Sequence, residues 1–137
     1  MKRRLWLIVP RISRQPATAD RQQRGRRSET LAARFLTAHG YRIAERNVRC
    51  AGAEIDLVAW EQGTLCFVEV RSTSSSRWGG PLATVTARKQ HHLLRAGRAY
   101  LARLRTPPTQ VRFDVVGIEW EQTPPAVSLI RGAFQDS

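Results

Sequence analysis

The stretch AEIDLVAWEQGTLCFVEVR, Ala53–Arg71, decides the fold. Its two strand-like runs, AEIDLVAW and LCFVEVR, flank EQGT, a four-residue hairpin loop supplied with a glycine. Closed in the simplest register, the hairpin sets Trp60 against Leu65, Asp56 against Glu69 and Glu54 against Arg71. Side chains alternate along a strand, so Glu54, Asp56, Glu69 and Arg71 share one face. Ile55, Leu57, Ala59, Cys66, Val68 and Val70 take the other, apolar face. A slip of one residue would mix the two sets, so the pattern itself favours this pairing. Two opposed carboxylates cost up to about 1 kcal/mol in the open and more when half-buried. A shared proton, Arg71 with neighbouring arginines, or a divalent cation would offset that cost. Mg²⁺ takes oxygen from one or two carboxylates and keeps its other positions for water and phosphate.

Outward from the hairpin, RGRRSETLAARFLTAHG predicts a helix from about Gln23 to Ala38, stopped by Gly40, with Leu31, Ala32, Phe35 and Leu36 as its apolar stripe. Glu29 borders the inward face; on spacing alone, an ordinary surface glutamate is the commoner reading. YRIAERNVR reads as a first strand. After the polar loop STSSSRWGG, Thr86 can cap a second helix from Ala87 to about Arg105, with Gln90, Leu93, Gly97, Tyr100, Leu101 and Leu104 in line. VRFDVVGIEW reads as a strand, and AVSLI as a candidate short last one. The order α-β-β-β-α-β predicts an α/β fold, a central four-stranded mixed sheet flanked by helices.

A chain of 137 residues supports one core, assigned to residues 24–137, preceded by a basic arm over 1–23 that is expected to be mobile. Twenty-three basic residues against eleven acidic ones give a net charge of +12, which selects polyanionic partners, nucleic acid first, with anionic membrane or ribosomal RNA behind it. Only Lys2 and Lys89 are lysines; GC-rich coding explains arginine over lysine but not base over acid. Cys50 and Cys66 lack the spacing of a disulfide framework or zinc site, and adjacent His91 and His92 point apart on a helix. The apolar run LWLIV near the start is shorter than a signal-peptide core, and no stretch reaches membrane-span length, so a cytoplasmic protein without a membrane partner is expected. A basic chain with a paired carboxylate suggests metal-assisted attack of water on a phosphodiester, with Arg71 stabilising the phosphate. A merely surface-charged hairpin is the competing reading.

GRRSETLAARFL, HGYRIAERNVR, AEIDLVAW, LCFVEVR, ARKQHHL and VRFDVVGI, in this order, resemble the YraN-like family of predicted bacterial endonucleases, within the restriction-endonuclease-like PD-(D/E)xK superfamily. The resemblance spans residues 25 to 134. It implies a restriction-endonuclease-like fold and a site for one or two Mg²⁺ or Mn²⁺ ions on Asp56 and Glu69, with Glu29 contributing from the side. Catalytic roles would fall to Glu29, Asp56, Glu69 and Arg71, supported by Glu54, Lys89 and Gln90. Arg24, Arg26, Arg27, Arg88 and Arg95 would grip the phosphate backbone. Ser28 and Ala53 stand where the family has glycine, and Arg71 where it has lysine. Arginine cannot lose or relay a proton as lysine can. The expected function is therefore an endonuclease cutting DNA, branched or single-stranded forms included. The alternatives are a binding module whose cleavage is weak or lost through Arg71, and an assembly or ribosome-associated protein. Trp78, Leu82 and the last apolar segment could form a dimer surface, though the sequence fixes no oligomeric state.

Overall fold

The computed structural model describes residues 17–73 and 80–135. Helix α1 spans Ala17–Ala38, β1 Arg42–Cys50, β2 Ala53–Glu61 and β3 Thr64–Thr73. A 3₁₀ turn at Pro81–Thr84 leads into α2, Ala87–Ala102, followed by β4, Gln110–Glu119, and β5, Ala126–Phe134. The sheet has five strands in sequence order, not the four expected. The correction lies in AVSLI, which continues through Arg131–Phe134 and pairs antiparallel with β4 from Glu119–Ala126 to Phe113–Phe134. Gly132 sits at φ +62°, next to a register shift against β4, and lets the strand run on past that irregularity. β3 and β4 are parallel, joined through α2 as a crossover, and the other neighbours are antiparallel.

Helix ends differ from expectation in both directions. α1 starts at Ala17, directly after Pro16 in the sequence, well before Gln23. α2 ends at Ala102, short of Arg105, with Thr106–Pro107–Pro108 beyond it. Thr86 caps α2 as anticipated, its Oγ1 accepting the Lys89 N–H at 3.1 Å. Residues 1–16 of the expected arm and Trp78 of the suggested dimer surface lie outside the described residues. Among the described residues, no helix is long and apolar enough to cross a membrane.

Both faces of the sheet are buried. Ala32, Ala33 and Leu36 of α1 pack against Leu57, Ala59, Cys66, Val68, Val116 and Ile118. Leu93, Ala96 and Tyr100 of α2 pack against Val58, Leu65, Phe67, Phe113 and Val115 on the other face. Fully burying each such aliphatic or aromatic side chain contributes about 1.5–3 kcal/mol. The carboxylate face of the hairpin is thus polar only at one end. Ile55 corrects the sequence reading: it packs with Val48 and Val58 under α2, not with Leu57 and Ala59. Strict alternation therefore breaks between Ile55 and Leu57, at Asp56.

Candidate functional site

The hairpin register is the expected one from Glu61–Thr64 to Leu57–Val68, including Trp60 opposite Leu65. Beyond Val68 a side chain takes over: Asp56 Oδ2 accepts the Val70 N–H at 2.8 Å. Glu54 is exposed and pairs with Arg49 of β1; because the pairing of β2 with β3 ends at Leu57–Val68, neither the expected opposition of Asp56 and Glu69 nor that of Glu54 and Arg71 is formed as a sheet pair. Where β2 and β3 part, α1 reaches in from one face and α2 from the other. The result is an open cleft of about 590 Å³ lined by Glu29, Asp56, Glu69, Arg71 and Lys89 together with Gly25, Ser28, Val70 and Ser72.

Glu69 is 4% exposed, and its two oxygens are treated unequally. Oε2 receives Arg71 Nη1 at 3.3 Å and lies 3.7 Å from Lys89 Nζ. Oε1 is the one buried side-chain oxygen or nitrogen among the described residues without a hydrogen-bond partner. Burial and the Glu69 charge push the Asp56 carboxyl well above the usual carboxylate range, against the Val70 N–H, which favours its charged form. Burial likewise raises Glu29, partly offset by a hydrogen bond with Asn47 and reinforced by the negative charge of Glu54. Arg71 is anchored away from Glu69 as well: Nε donates to Thr84 Oγ1 at 3.0 Å and Nη2 to the Thr84 carbonyl at 3.2 Å. Thr84 Oγ1 in turn donates to the Pro81 carbonyl.

A buried carboxylate oxygen beside a second carboxyl that resists ionisation and can hydrogen-bond it when protonated is satisfied either by that shared proton or by a hard cation. Asp56 and Glu69 fit as ligands, with Glu29 at the side. Among the described residues, no three His, Cys, Asp or Glu side chains form a metal cage by themselves. Two close carboxylates suit an ion that retains water and phosphate in its remaining positions.

Other expected site residues are distributed less evenly. Lys89 lines the cleft, but Gln90 does not; its Nε2 donates to the Val85 carbonyl at 3.0 Å and so ties the start of α2. Arg26, Arg27, Arg88 and Arg95 are exposed on the two helices, Arg95 also reaching the Ala51 carbonyl, whereas the side chain of Arg24 lies outside the described ones. Thr84 and the chain Trp120 Nε1 to Ser28 Oγ (2.9 Å) and on to Ser72 Oγ (2.7 Å) were not anticipated. Ser28 had stood out only as a serine in place of a glycine.

A second polar cluster also escaped the sequence. Asp114, 0% exposed, accepts from Tyr41 Oη at 2.8 Å, Arg112 Nε at 2.8 Å and the Gly132 N–H at 2.9 Å. Arg112 also donates to Glu61, which Arg131 pairs through both Nε and Nη2. These arginines lower the Glu61 carboxyl to about 2. Each donor in this cluster meets an acceptor and each arginine a carboxylate, so the cluster reads as a tie between strands. The sequence signal was an aspartate inside the apolar run VRFDVVGI.

Residues 28–118 match a family model described as "Uncharacterised protein family UPF0102", the family resembled as YraN-like. The chain is similar to a UPF0102 protein of Symbiobacterium thermophilum, 52% identical over 69% of this chain and 80% of that protein. A UPF0102 protein of Anaeromyxobacter sp. (strain Fw109-5) is 41% identical over 84% and 86% respectively. One from Geobacter metallireducens is 40% identical over 81% and 91%.

Proposed function

The chain belongs to the protein family UPF0102, and from its cleft we propose that it is a divalent-metal-dependent nuclease hydrolysing DNA phosphodiester bonds, branched or single-stranded substrates included. The observation that carries this reading is Glu69 Oε1, buried without a partner beside Asp56 in a cleft flanked by cations. The net charge of +12 supports a polyanionic substrate.

Asp56 and Glu69 would hold one or two Mg²⁺ or Mn²⁺ ions, with Glu29 from the side. Such an ion, when bound, supplies Lewis-acid polarisation and a more acidic bound water. The protein's part is positional and electrostatic. The Val70 N–H fixes the Asp56 carboxylate. Arg71 and Lys89 neutralise Glu69 through Oε2, and their side chains remain 33% and 40% exposed, open to phosphate oxygens entering the cleft. Arg71, forked onto Thr84, acts as a fixed positive charge aimed at developing phosphate charge, not as a proton relay. Arg88 and Arg95 on α2 and Arg26 and Arg27 on α1 extend the positive surface along the strand backbone.

That same Arg71 favours one second reading, a binding module of this fold with weak or lost cleavage. Incubation of linear, single-stranded, forked and four-way-junction DNA with Mn²⁺ or with EDTA separates the two. The nuclease reading expects cutting that requires metal and vanishes in Asp56→Asn. Salt-sensitive binding to every substrate with no cutting by wild type would transfer the conclusion to the binding module.

A further inference from the structure

Beside the carboxylate cleft, the outer side of α1 forms a second groove of about 450 Å³. Its apolar floor is Leu31, Trp120 and Pro125, and Arg26, Arg27 and Arg34 stand around it, with no acid in the lining. The indole of Trp120 is held in place: its Nε1 donates to Ser28, and Ser28 is hydrogen-bonded to Ser72. Ser28 and Ser72 both line the carboxylate cleft, so the groove and the cleft are joined through one side chain on each side. The Arg27 guanidinium lies over the indole, its carbon 5.0 Å from the ring centroid, so ring and guanidinium together form one stacking wall of the groove.

We infer that this groove stacks one unpaired nucleobase next to the phosphate in the cleft, so that the substrate carries unpaired nucleotides at the point of attack. The inference rests on the nuclease reading only for the identity of that neighbouring phosphate. An indole and a guanidinium plane are the two side-chain surfaces on which exposed bases stack. Three arginines around an apolar floor complement a base whose flanking phosphates are negative, and they disfavour an uncharged apolar segment, which would have to desolvate them. A base pair in a duplex offers only its edges, because its faces are covered by neighbours. The groove therefore distinguishes single strands, flaps and gaps from continuous duplex.

The test compares three labelled ligands of equal phosphate number in EDTA, where nothing is cut: an oligothymidine, the same strand made wholly of abasic residues, and a duplex. Fluorescence anisotropy gives each affinity for wild type, Trp120→Ala and the surface variant Arg27→Ala. Wild type should bind the base-bearing strand about 5- to 150-fold tighter than the abasic one. Both variants should shrink that ratio, Trp120→Ala the more. Trp120→Ala should leave binding of the abasic strand and the duplex nearly unchanged, whereas Arg27→Ala, which also removes a phosphate contact, weakens all three ligands. The wild-type ratio needs no variant to fold, so it stands alone as a test. A wild-type ratio near one overturns the inference, as does a ratio unchanged in both variants. A change in sedimentation of the variants without a change in the ratio would assign the groove to a second copy of the chain, and also overturns it. Cutting of the same strands with Mn²⁺ is scored separately. A base preference without cutting sinks the nuclease reading alone, and cutting without a base preference sinks the stacking pocket alone.

Discussion

Asp56 serves two partners that pull its charge in opposite directions. The Val70 N–H favours the carboxylate, while burial and Glu69 favour the acid and raise its pKa to about 8. A carboxyl raised in the folded state stabilises the fold fully below its unfolded value, near 3.8, and loses that contribution as pH rises through about 8. Metal-free protein is therefore expected to lose thermal stability from pH 4 to pH 8. Asp56→Asn, which keeps an oxygen for Val70 but removes the charge, should flatten the profile and stabilise the protein at pH 8 by about 1–3 kcal/mol; melting curves in EDTA check both. Arg71 is tested by kinetics. Arg71→Ala should lower kcat about 10²-fold, the usual loss for one electrostatic donor, whereas Arg71→Lys should keep kcat within about tenfold. A large gain in Arg71→Lys would show that a proton relay was missing. Asp56 and Glu69 stood out in the sequence because alternation placed two acids on one face of a hairpin, although Asp56 meets β3 through its side-chain bond to the Val70 N–H and not through sheet pairing. Glu29 was not, since helical spacing places it at an ordinary boundary position; only the resemblance singled it out. Gln90 misled for a related reason: it lies on the inward line of α2, but its amide is used by the Val85 carbonyl.

At the scale of elements, the site depends on how the turn Pro81–Thr84 sits on the sheet. Gly117 of β4 lies beside Arg71 in the parallel pairing of β3 and β4. A Cβ at Gly117 would fall 1.9 Å from Pro81 Cγ and 2.5 Å from its Cβ. The bare backbone lets the turn approach, and the turn carries Thr84, which clamps Arg71. Gly117→Ala should therefore cost about 1–3 kcal/mol by overpacking and, beyond that, lower cleavage per folded molecule by freeing Arg71. Gly97→Ala is the control. Its Cβ would meet the Phe113 ring at 2.7 Å, under α2 and away from Arg71. It should reduce the melting temperature but leave kcat of the folded fraction unchanged. The hairpin, β4 and the Thr86 cap were legible because their periodicity and capping chemistry are local. β5 was undercounted because a glycine and an arginine interrupt its apolar pattern, and its partner lies across a tertiary contact. The 3₁₀ turn has no signature of its own beyond Pro81.

Across the whole molecule, the Asp114 cluster joins β2, β4, β5 and Tyr41, the residue that leads into β1, through Glu61, Arg112, Arg131 and Gly132. Asp114 is fully buried, so Arg112→Ala leaves its charge without its main counter-ion and should destabilise the fold by about 3–5 kcal/mol. Chemical denaturation measures that loss, and cleavage per folded molecule should be unchanged. The division is between a satisfied cluster that holds strands together and the pair Asp56 and Glu69, where Glu69 Oε1 has no hydrogen-bond partner. Composition speaks only to the sign of an expected partner, since net charge bears on association and not on fold.

The central claim is that this buried carboxylate pair is assembled for a divalent cation. Calorimetric titration of Mn²⁺ into wild type and Asp56→Asn at pH 7, in two buffers of different ionisation enthalpy, tests it directly. The account predicts saturable binding to wild type with release of a proton from the shared pair, and affinity at least about tenfold weaker in Asp56→Asn. Absence of binding to wild type, or equal binding to both proteins, would contradict it.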